Sequence, residues 1–277
     1  MNTLLEILDK SEAHLRGKGV VEARLDAEHL LADTLQCKRM DLYLQFDKPL
    51  QEETLALLRP KLVRRGRHEP LSHILGHHPF HGLKLTVSPS ALIPRPETEE
   101  LVEKTAGHLK SAPNRILDLG TGTGAIALWM KQTYPNAEVV ATDRSEEALS
   151  LAKKNGLDLN TSVAWISSDW FSSVEGTYDL IISNPPYLTE QEWQEAAPEV
   201  RDYEPKEALF ASANGLADLR IILTESISYL NPKGLIALET GINQREELKA
   251  IATESGFSDA WGEEDFHRRS RYFFAIK

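Results

Sequence analysis

The chain has 277 residues, 41% apolar and 26% charged, with 31 Lys and Arg against 42 Asp and Glu for a formal net charge of −11. That balance belongs to a globular protein of one large or two small domains and excludes a disordered or fibrous chain. No apolar run approaches the roughly 20 residues that span a bilayer, and the start, with Glu6 and Asp9, does not read as a signal peptide. The single cysteine, Cys37, excludes an intramolecular disulfide and a cysteine-built zinc site, so a reducing, cytoplasmic setting is expected. The charge is unevenly placed. Residues 1–90 hold 13 basic and 12 acidic side chains, and residues 91–277 hold 18 and 30.

The first stretch reads as helices. Thr3 and Glu6 have capping-box spacing ahead of the apolar stripe Leu4, Leu5, Ile7, Leu8 and Leu15, and Gly17 and Gly19 end that helix. A second is expected over 21–34, a short third over 40–44 and a fourth from residue 52, which Pro60 should kink or break. The fourth ends in a basic run of Lys61, Arg64, Arg65, Arg67 and His68. The run reads either as a solvated helix end favoured by the macrodipole or as a contact for an acidic or RNA-bearing partner. Between 70 and 96, five prolines and the alternation of Leu83, Leu85 and Val87 with Lys84 and Thr86 predict paired strands acting as a linker. His73, His77, His78 and His81 cluster here without an Asp or Cys among them, so they read as surface or packed side chains and no metal is expected.

From residue 97 helices and strands alternate. Helices are expected over 98–109, 125–133, 146–155, 217–230 and 244–255, and strands over 115–119, 138–142, 163–167, 178–183, 235–239, 257–261 and 271–276. This predicts an α/β fold, a mostly parallel sheet covered on both faces, with an antiparallel strand at one edge. The organisation expected is a helical domain over 1–80, a β-hairpin linker over 81–96 and the α/β domain over 97–277.

The strand 115–119 runs into Gly120-Thr121-Gly122-Thr123-Gly124 and then a helix. Glycines there let the backbone turn sharply and let a ligand approach where a Cβ would collide. The next strand ends at Thr142-Asp143, about 20 residues on, where an acid can accept from both hydroxyls of a ribose. Together these predict a nucleoside-type cofactor. The glycines read GxGxG, not the GxGxxG of dinucleotide sites, and the spacing resembles motif I of the S-adenosylmethionine-dependent methyltransferases. Ser168-Asp169-Trp170-Phe171 follows the third strand, beside Asp143 by strand order. Trp170 there either packs against the base or is ordinary core, and Asp169 is placed to accept from an exocyclic amine.

Asn184-Pro185-Pro186-Tyr187 follows the fourth strand. Two prolines fix the backbone and remove two N–H donors. Asn184 then offers a side-chain carbonyl, Pro185 a backbone carbonyl and Tyr187 a flat face, which together suit a planar –NH₂ group. Such an amine is a poor nucleophile until two accepted hydrogen bonds turn its lone pair towards an electrophile, a matter of positioning and electrostatics. The motif occurs in methyltransferases of adenine N6, of other exocyclic amines and of glutamine amides, and does not separate them.

The rest of the chain resembles the PrmC/HemK glutamine-N5 methyltransferases. The matching stretches are Glu69-Pro-Leu-Ser-His-Ile-Leu-Gly76 with Phe80 and Gly82, Leu92-Ile-Pro-Arg-Pro-Glu-Thr-Glu99, Asp118 to Gly124, Ser168 to Phe171, and Asn184 to Tyr187. They continue through Tyr203-Glu-Pro-Lys-Glu-Ala-Leu-Phe210 with Gly215-Leu216, and Leu238-Glu-Thr-Gly241. The Pro-Arg-Pro-Glu-Thr-Glu element is the most family-specific part. The resemblance implies a Rossmann-like class I methyltransferase domain with a seven-stranded sheet, a small N-terminal helical domain that docks substrate, and a β-hairpin linker. It implies S-adenosylmethionine held by Gly120, Thr121, Gly122, Thr123, Gly124, Asp143, Trp170 and Asn184. Asn184, Pro185, Pro186 and Tyr187 would hold the glutamine of a Gly-Gly-Gln loop in class 1 peptide-chain release factors, with Asn184, Pro185 and Tyr187 in the catalytic role. The chain departs from the family pattern near its end, in Asp265-Phe-His-Arg-Arg-Ser-Arg271, which leaves Arg268, Arg269 and Arg271 without an assigned role. A base methyltransferase is the alternative. It needs a basic surface around the pocket, which the acidic residues 91–277 oppose, so no direct DNA binding is expected.

Overall fold

A computed structural model of the chain describes residues 2–277, which divide into two compact units: residues up to 77 together with 197–203, and residues 78–196 together with 204–277. Among the described residues no helix is long and apolar enough to cross a membrane.

The first unit is helical. Helices Leu4–Gly17, Ala23–Thr34 and Glu52–Arg65, with the shorter Arg39–Leu42 and Leu71–Leu75, bury Leu4, Leu8, Leu15, Leu30, Leu31 and Leu58 in one core. The capping box forms: Thr3 Oγ1 accepts from Glu6 N–H at 3.3 Å, and Glu6 Oε2 accepts from Thr3 N–H at 3.0 Å. Pro60 does not break its helix, which runs through from Glu52 to Arg65. Leu55, Leu58 and Leu62 dock on the core on both sides of it, and this packing outweighs the lost backbone bond.

The basic run is largely paired inside this unit. Lys61 Nζ lies 2.6 Å from Asp33, and Arg64 Nε donates to Glu69 at 2.8 Å. Arg65 is buried, 2.6 Å from Asp26 and 3.0 Å from Glu199 in the returning segment 197–203. Arg65 is therefore withdrawn from any partner surface, while the Arg64 and Arg67 side chains stay exposed.

A hairpin of β1 (His77–Phe80), which but for His77 belongs to the second unit, and β2 (Leu83–Thr86) precedes the sheet. It lies earlier than the 81–96 expected and is no free connector. Phe80, Leu83 and Leu85 are buried in the same core as the helix Ala125–Thr133, and Asn155 bonds both the N–H and the carbonyl of Thr86, at 2.8 and 3.0 Å. The sheet strands are β3 (Arg115–Leu119), β4 (Glu138–Asp143), β5 (Ala164–Ser167), β6 (Tyr178–Ser183), β7 (Leu230–Glu239), β8 (Asp259–Glu264) and β9 (Ser270–Ile276). Their order is β5-β4-β3-β6-β7-β9-β8, with β9 antiparallel to both neighbours. The antiparallel strand is thus the last in sequence but not the outermost. A tight turn, closed by Asp265 N–H on the Arg269 carbonyl at 2.9 Å, folds β9 back between β7 and β8.

Successive strand residues face opposite sides, as a pleated strand requires. Ile116, Ala141, Leu180 and Ile182 enter one core with helices Pro96–His108 and Ala125–Thr133. Leu117, Leu119, Val140 and Ile181 enter the other, with helices Ala217–Tyr229 and Arg245–Ser255. The fold is a doubly wound, Rossmann-like α/β fold. Strand order reverses at β3: β4 and β5 lie on one side, β6 and β7 on the other. Leu119, the last residue of β3, pairs with Thr142 of β4 and with Ser183 of β6. The residues that follow these three strand ends therefore meet at the switch point, where ligands bind in such sheets.

Candidate active site

One cavity of about 420 Å³ opens at that switch point. Its wall includes Gly120, Thr121, Gly122 and Thr123 from the turn after β3, Asp143 at the end of β4, Ser168, Asp169 and Trp170 after β5, and Asn184, Pro185 and Pro186 after β6. The structure brings these sequence-predicted residues together. It leaves two others outside the wall, Gly124 and Tyr187.

The Gly-rich turn is held from behind by Asp118, which is fully buried near the end of β3. Asp118 Oδ2 accepts from Thr121 Oγ1 at 2.5 Å and from Ala127 N–H at 3.2 Å, tying turn to helix. Burial pushes its carboxyl up to about 7 against those two hydrogen bonds, and its Oδ1 has no partner among the described residues. Gly120, at φ +70°, faces Trp170, and a Cβ there would come within 3.4 Å of the indole. Gly124 serves packing: its Cβ would meet Trp165 at 3.0 Å and Ala152 at 3.2 Å, so the helix after the turn can sit close against its neighbours.

Asp143 has both oxygens engaged by backbone donors, Gly122 N–H on Oδ2 and Ser145 N–H on Oδ1, each at 2.9 Å. A carboxylate has about four lone-pair directions, so two acceptor sites stay open for hydroxyl donors. Trp170 is placed between wall and core. It forms part of the cavity wall and packs against the second core, with Nε1 donating to Asp218 at 3.2 Å.

At the other end, Asn184 Nδ2 donates to Thr98 Oγ1 at 3.0 Å. Thr98 Oγ1 donates to Glu239 Oε2 at 2.7 Å, and Tyr187 OH donates to Glu239 Oε1 at 2.8 Å. Glu239, at the end of β7, is buried. Burial pushes its carboxyl up, and the Thr98 and Tyr187 hydroxyls and Arg271 act to hold it down. Tyr187 is anchored behind the wall. Its N–H donates to the Leu209 carbonyl at 3.2 Å, its carbonyl accepts from Gln244 Nε2 at 3.0 Å, and burial holds its hydroxyl well above the usual phenol range. Asn184 Oδ1 takes no hydrogen bond among the described residues.

Thr98 lines the cavity, with Leu92 and Pro94 from the same stretch. In the sequence this stretch stands out only as a family marker with no site role, although the Pro-Arg-Pro-Glu-Thr-Glu run was the signal for one. Of the arginines near the C-terminus, Arg269 and Arg271 are engaged within the fold. Arg269 pairs with Asp265 at 2.7 Å and Glu97 at 3.1 Å. Arg271 Nη1 donates to the Thr240 carbonyl at 3.1 Å, and its guanidinium lies 5.6 Å from the Tyr187 ring centre. Arg268 takes a left-handed turn conformation, at φ +59°.

Residues 98–201 match the model of the methyltransferase small domain, and residues 6–76 that of the PrmC N-terminal domain. The chain is 39% identical over 266 residues to the release factor glutamine methyltransferase of Geobacter sulfurreducens, covering 95% of this chain and 93% of that protein. It is 39% identical over 272 residues to the same-named protein of Vibrio cholerae, covering 97% and 95%. A solved methyltransferase from Pyrococcus furiosus shares the fold, with a TM-score of 0.55 at 21% identity over 82% of this chain and 99% of that one. The chain belongs to the release factor glutamine methyltransferase family.

Proposed function

We propose that the protein methylates the side-chain amide nitrogen of the glutamine in the Gly-Gly-Gln loop of class 1 peptide-chain release factors, in the cytoplasm, with S-adenosylmethionine as donor. The observation that carries this is the meeting, in one cavity, of a Gly-rich turn with Asp143 and of Asn184-Pro185-Pro186. The residues fit the cofactor. The cavity lies in the size range of small-molecule sites, Asp143 keeps lone pairs for ribose hydroxyls, and Trp170 supplies a flat wall for a base. When bound, S-adenosylmethionine supplies an electrophilic sulfonium methyl group that passes to the amide nitrogen, which loses one N–H proton to water. Asn184 Oδ1 and the Pro185 carbonyl accept the two N–H groups of the substrate amide, turning its lone pair towards the methyl. Tyr187 braces this turn through its hydroxyl on Glu239, and its ring is the flat face offered to the substrate amide. The acidic balance of residues 91–277 disfavours a nucleic-acid base as substrate, since phosphate contacts depend on Lys and Arg.

Incubation with labelled S-adenosylmethionine and either a release factor, the same factor with its Gly-Gly-Gln glutamine replaced, or adenine-containing RNA and DNA tests this. Label on the intact release factor alone is the expected result. Label on nucleic acid, or on the glutamine-replaced factor, would overturn it.

A further inference from the structure

The side chain of Asn184 is held from outside its own loop. Its donor goes to Thr98, third residue of the helix Pro96–His108 and 86 positions away in sequence. Thr98 in turn reaches Glu239, 141 positions away at the end of β7. Thr98 is 4% exposed and Glu239 1%. A hydroxyl has one hydrogen to give. Both Glu239 oxygens face hydroxyl donors, from Thr98 and from Tyr187, so the Thr98 hydrogen is committed to the carboxylate and a lone pair faces Asn184. The amide must then turn Nδ2 to Thr98, which leaves Oδ1 for the cavity. The opposite orientation would present an –NH₂ group to the substrate –NH₂ and set donor against donor.

We propose that Thr98, with Glu239 behind it, is a positioning residue that fixes the Asn184 amide with its oxygen towards the substrate nitrogen. This rests on the reading of Asn184 as acceptor for the substrate amide. The Pro-Arg-Pro-Glu-Thr-Glu element thereby gains a chemical role, because its threonine sets the polarity of the acceptor.

Three variants of the full chain, Thr98→Val, Thr98→Ser and Glu239→Gln, assayed with S-adenosylmethionine and a whole release factor, test it. Melting temperature and cofactor affinity report folding first. Thr98→Val keeps shape and loses the hydroxyl, and kcat should fall about 10–100-fold, by analogy with loss of a partner that orients a metal ligand, while KM for the release factor changes little. Thr98→Ser should restore most of the lost rate. Glu239→Gln puts an amide where two donors require acceptors and should lower kcat in the same way, which keeps the test decisive if Thr98→Val folds poorly. Wild-type kcat in Thr98→Val, a loss confined to KM, or no rescue by serine would overturn the proposal. A wild-type protein that leaves the release factor unmethylated would instead overturn the functional reading beneath it.

Discussion

The two ends of the cavity are held in different ways. Asp143 is fixed by backbone N–H groups, from Ser145 two positions on and from Gly122 in the adjoining turn. Asn184 is fixed by a side-chain relay running through Thr98 to Glu239, on a different helix and a different strand. Backbone donors come with the fold, whatever side chains surround them. A relay of side chains fails when any one member changes. If the Asp143 end holds the cofactor and the Asn184 end the substrate amide, as proposed, the first should tolerate substitution around Asp143, while the second should be sensitive to positions that do not touch substrate.

The same contrast recurs in the first unit, and the largest expected effect lies there. Arg65 is held by Asp26, 39 positions away, and by Glu199, with its side chain 6% exposed. Arg64 is held by nearby Glu69 at 45% exposure. Removing one partner of a buried pair leaves the other charge unpaired, so Arg65→Ala should cost about 3–5 kcal/mol of stability. Arg64→Ala should cost at most about 1 kcal/mol, as for exposed pairs. Urea unfolding that gives equal losses would break the distinction. Charge reversal at Arg64 alone, and not at Arg65, is then the proper probe of partner docking by this run.

At the cofactor end, Asp143→Ala should weaken S-adenosylmethionine binding by about 1.5–3 kcal/mol, the range for hydrogen bonds to a charged group. Calorimetric titration with unchanged affinity would remove Asp143 from the site. A pH-dependent effect concerns Asp118 behind the turn. Its carboxyl is raised to about 7 in the folded chain from an ordinary value of 3.8. Between those two values the folded state keeps a proton that the unfolded state has released, so this group makes stability fall as pH rises from about 4 to about 7 and adds no further slope above that. Asp118→Asn should flatten that part of the melting-temperature profile. Parallel profiles for the two proteins would contradict the buried, proton-retaining Asp118.

What was legible in the sequence follows the same division. The Gly-rich turn, Asp143 and the alternation of strands and helices are local patterns, and each landed at its expected place in the sheet. The helical continuity across Pro60 was not legible, because it depends on Leu55, Leu58 and Leu62 packing on a distant core. The pairing of the basic run was also hidden, since Asp26 and Glu199 are far from Arg65 in sequence. Tyr187 reads as a substrate wall from its place in the motif, and the bond of its hydroxyl to Glu239 was hidden because the two lie 52 positions apart. Thr98 and Glu239 stand in motifs that the sequence displays, but nothing in either stretch says that they meet.

The most direct measurement is single-turnover methylation of a release factor by wild type and by Asn184→Ala at saturating S-adenosylmethionine. If Asn184 aligns the substrate amide, the chemical step slows by roughly 10²–10³, as on losing one preorganised hydrogen-bond group, and cofactor affinity falls less than in Asp143→Ala. A chemical step at the wild-type rate with only KM raised would make Asn184 a docking residue and contradict the account.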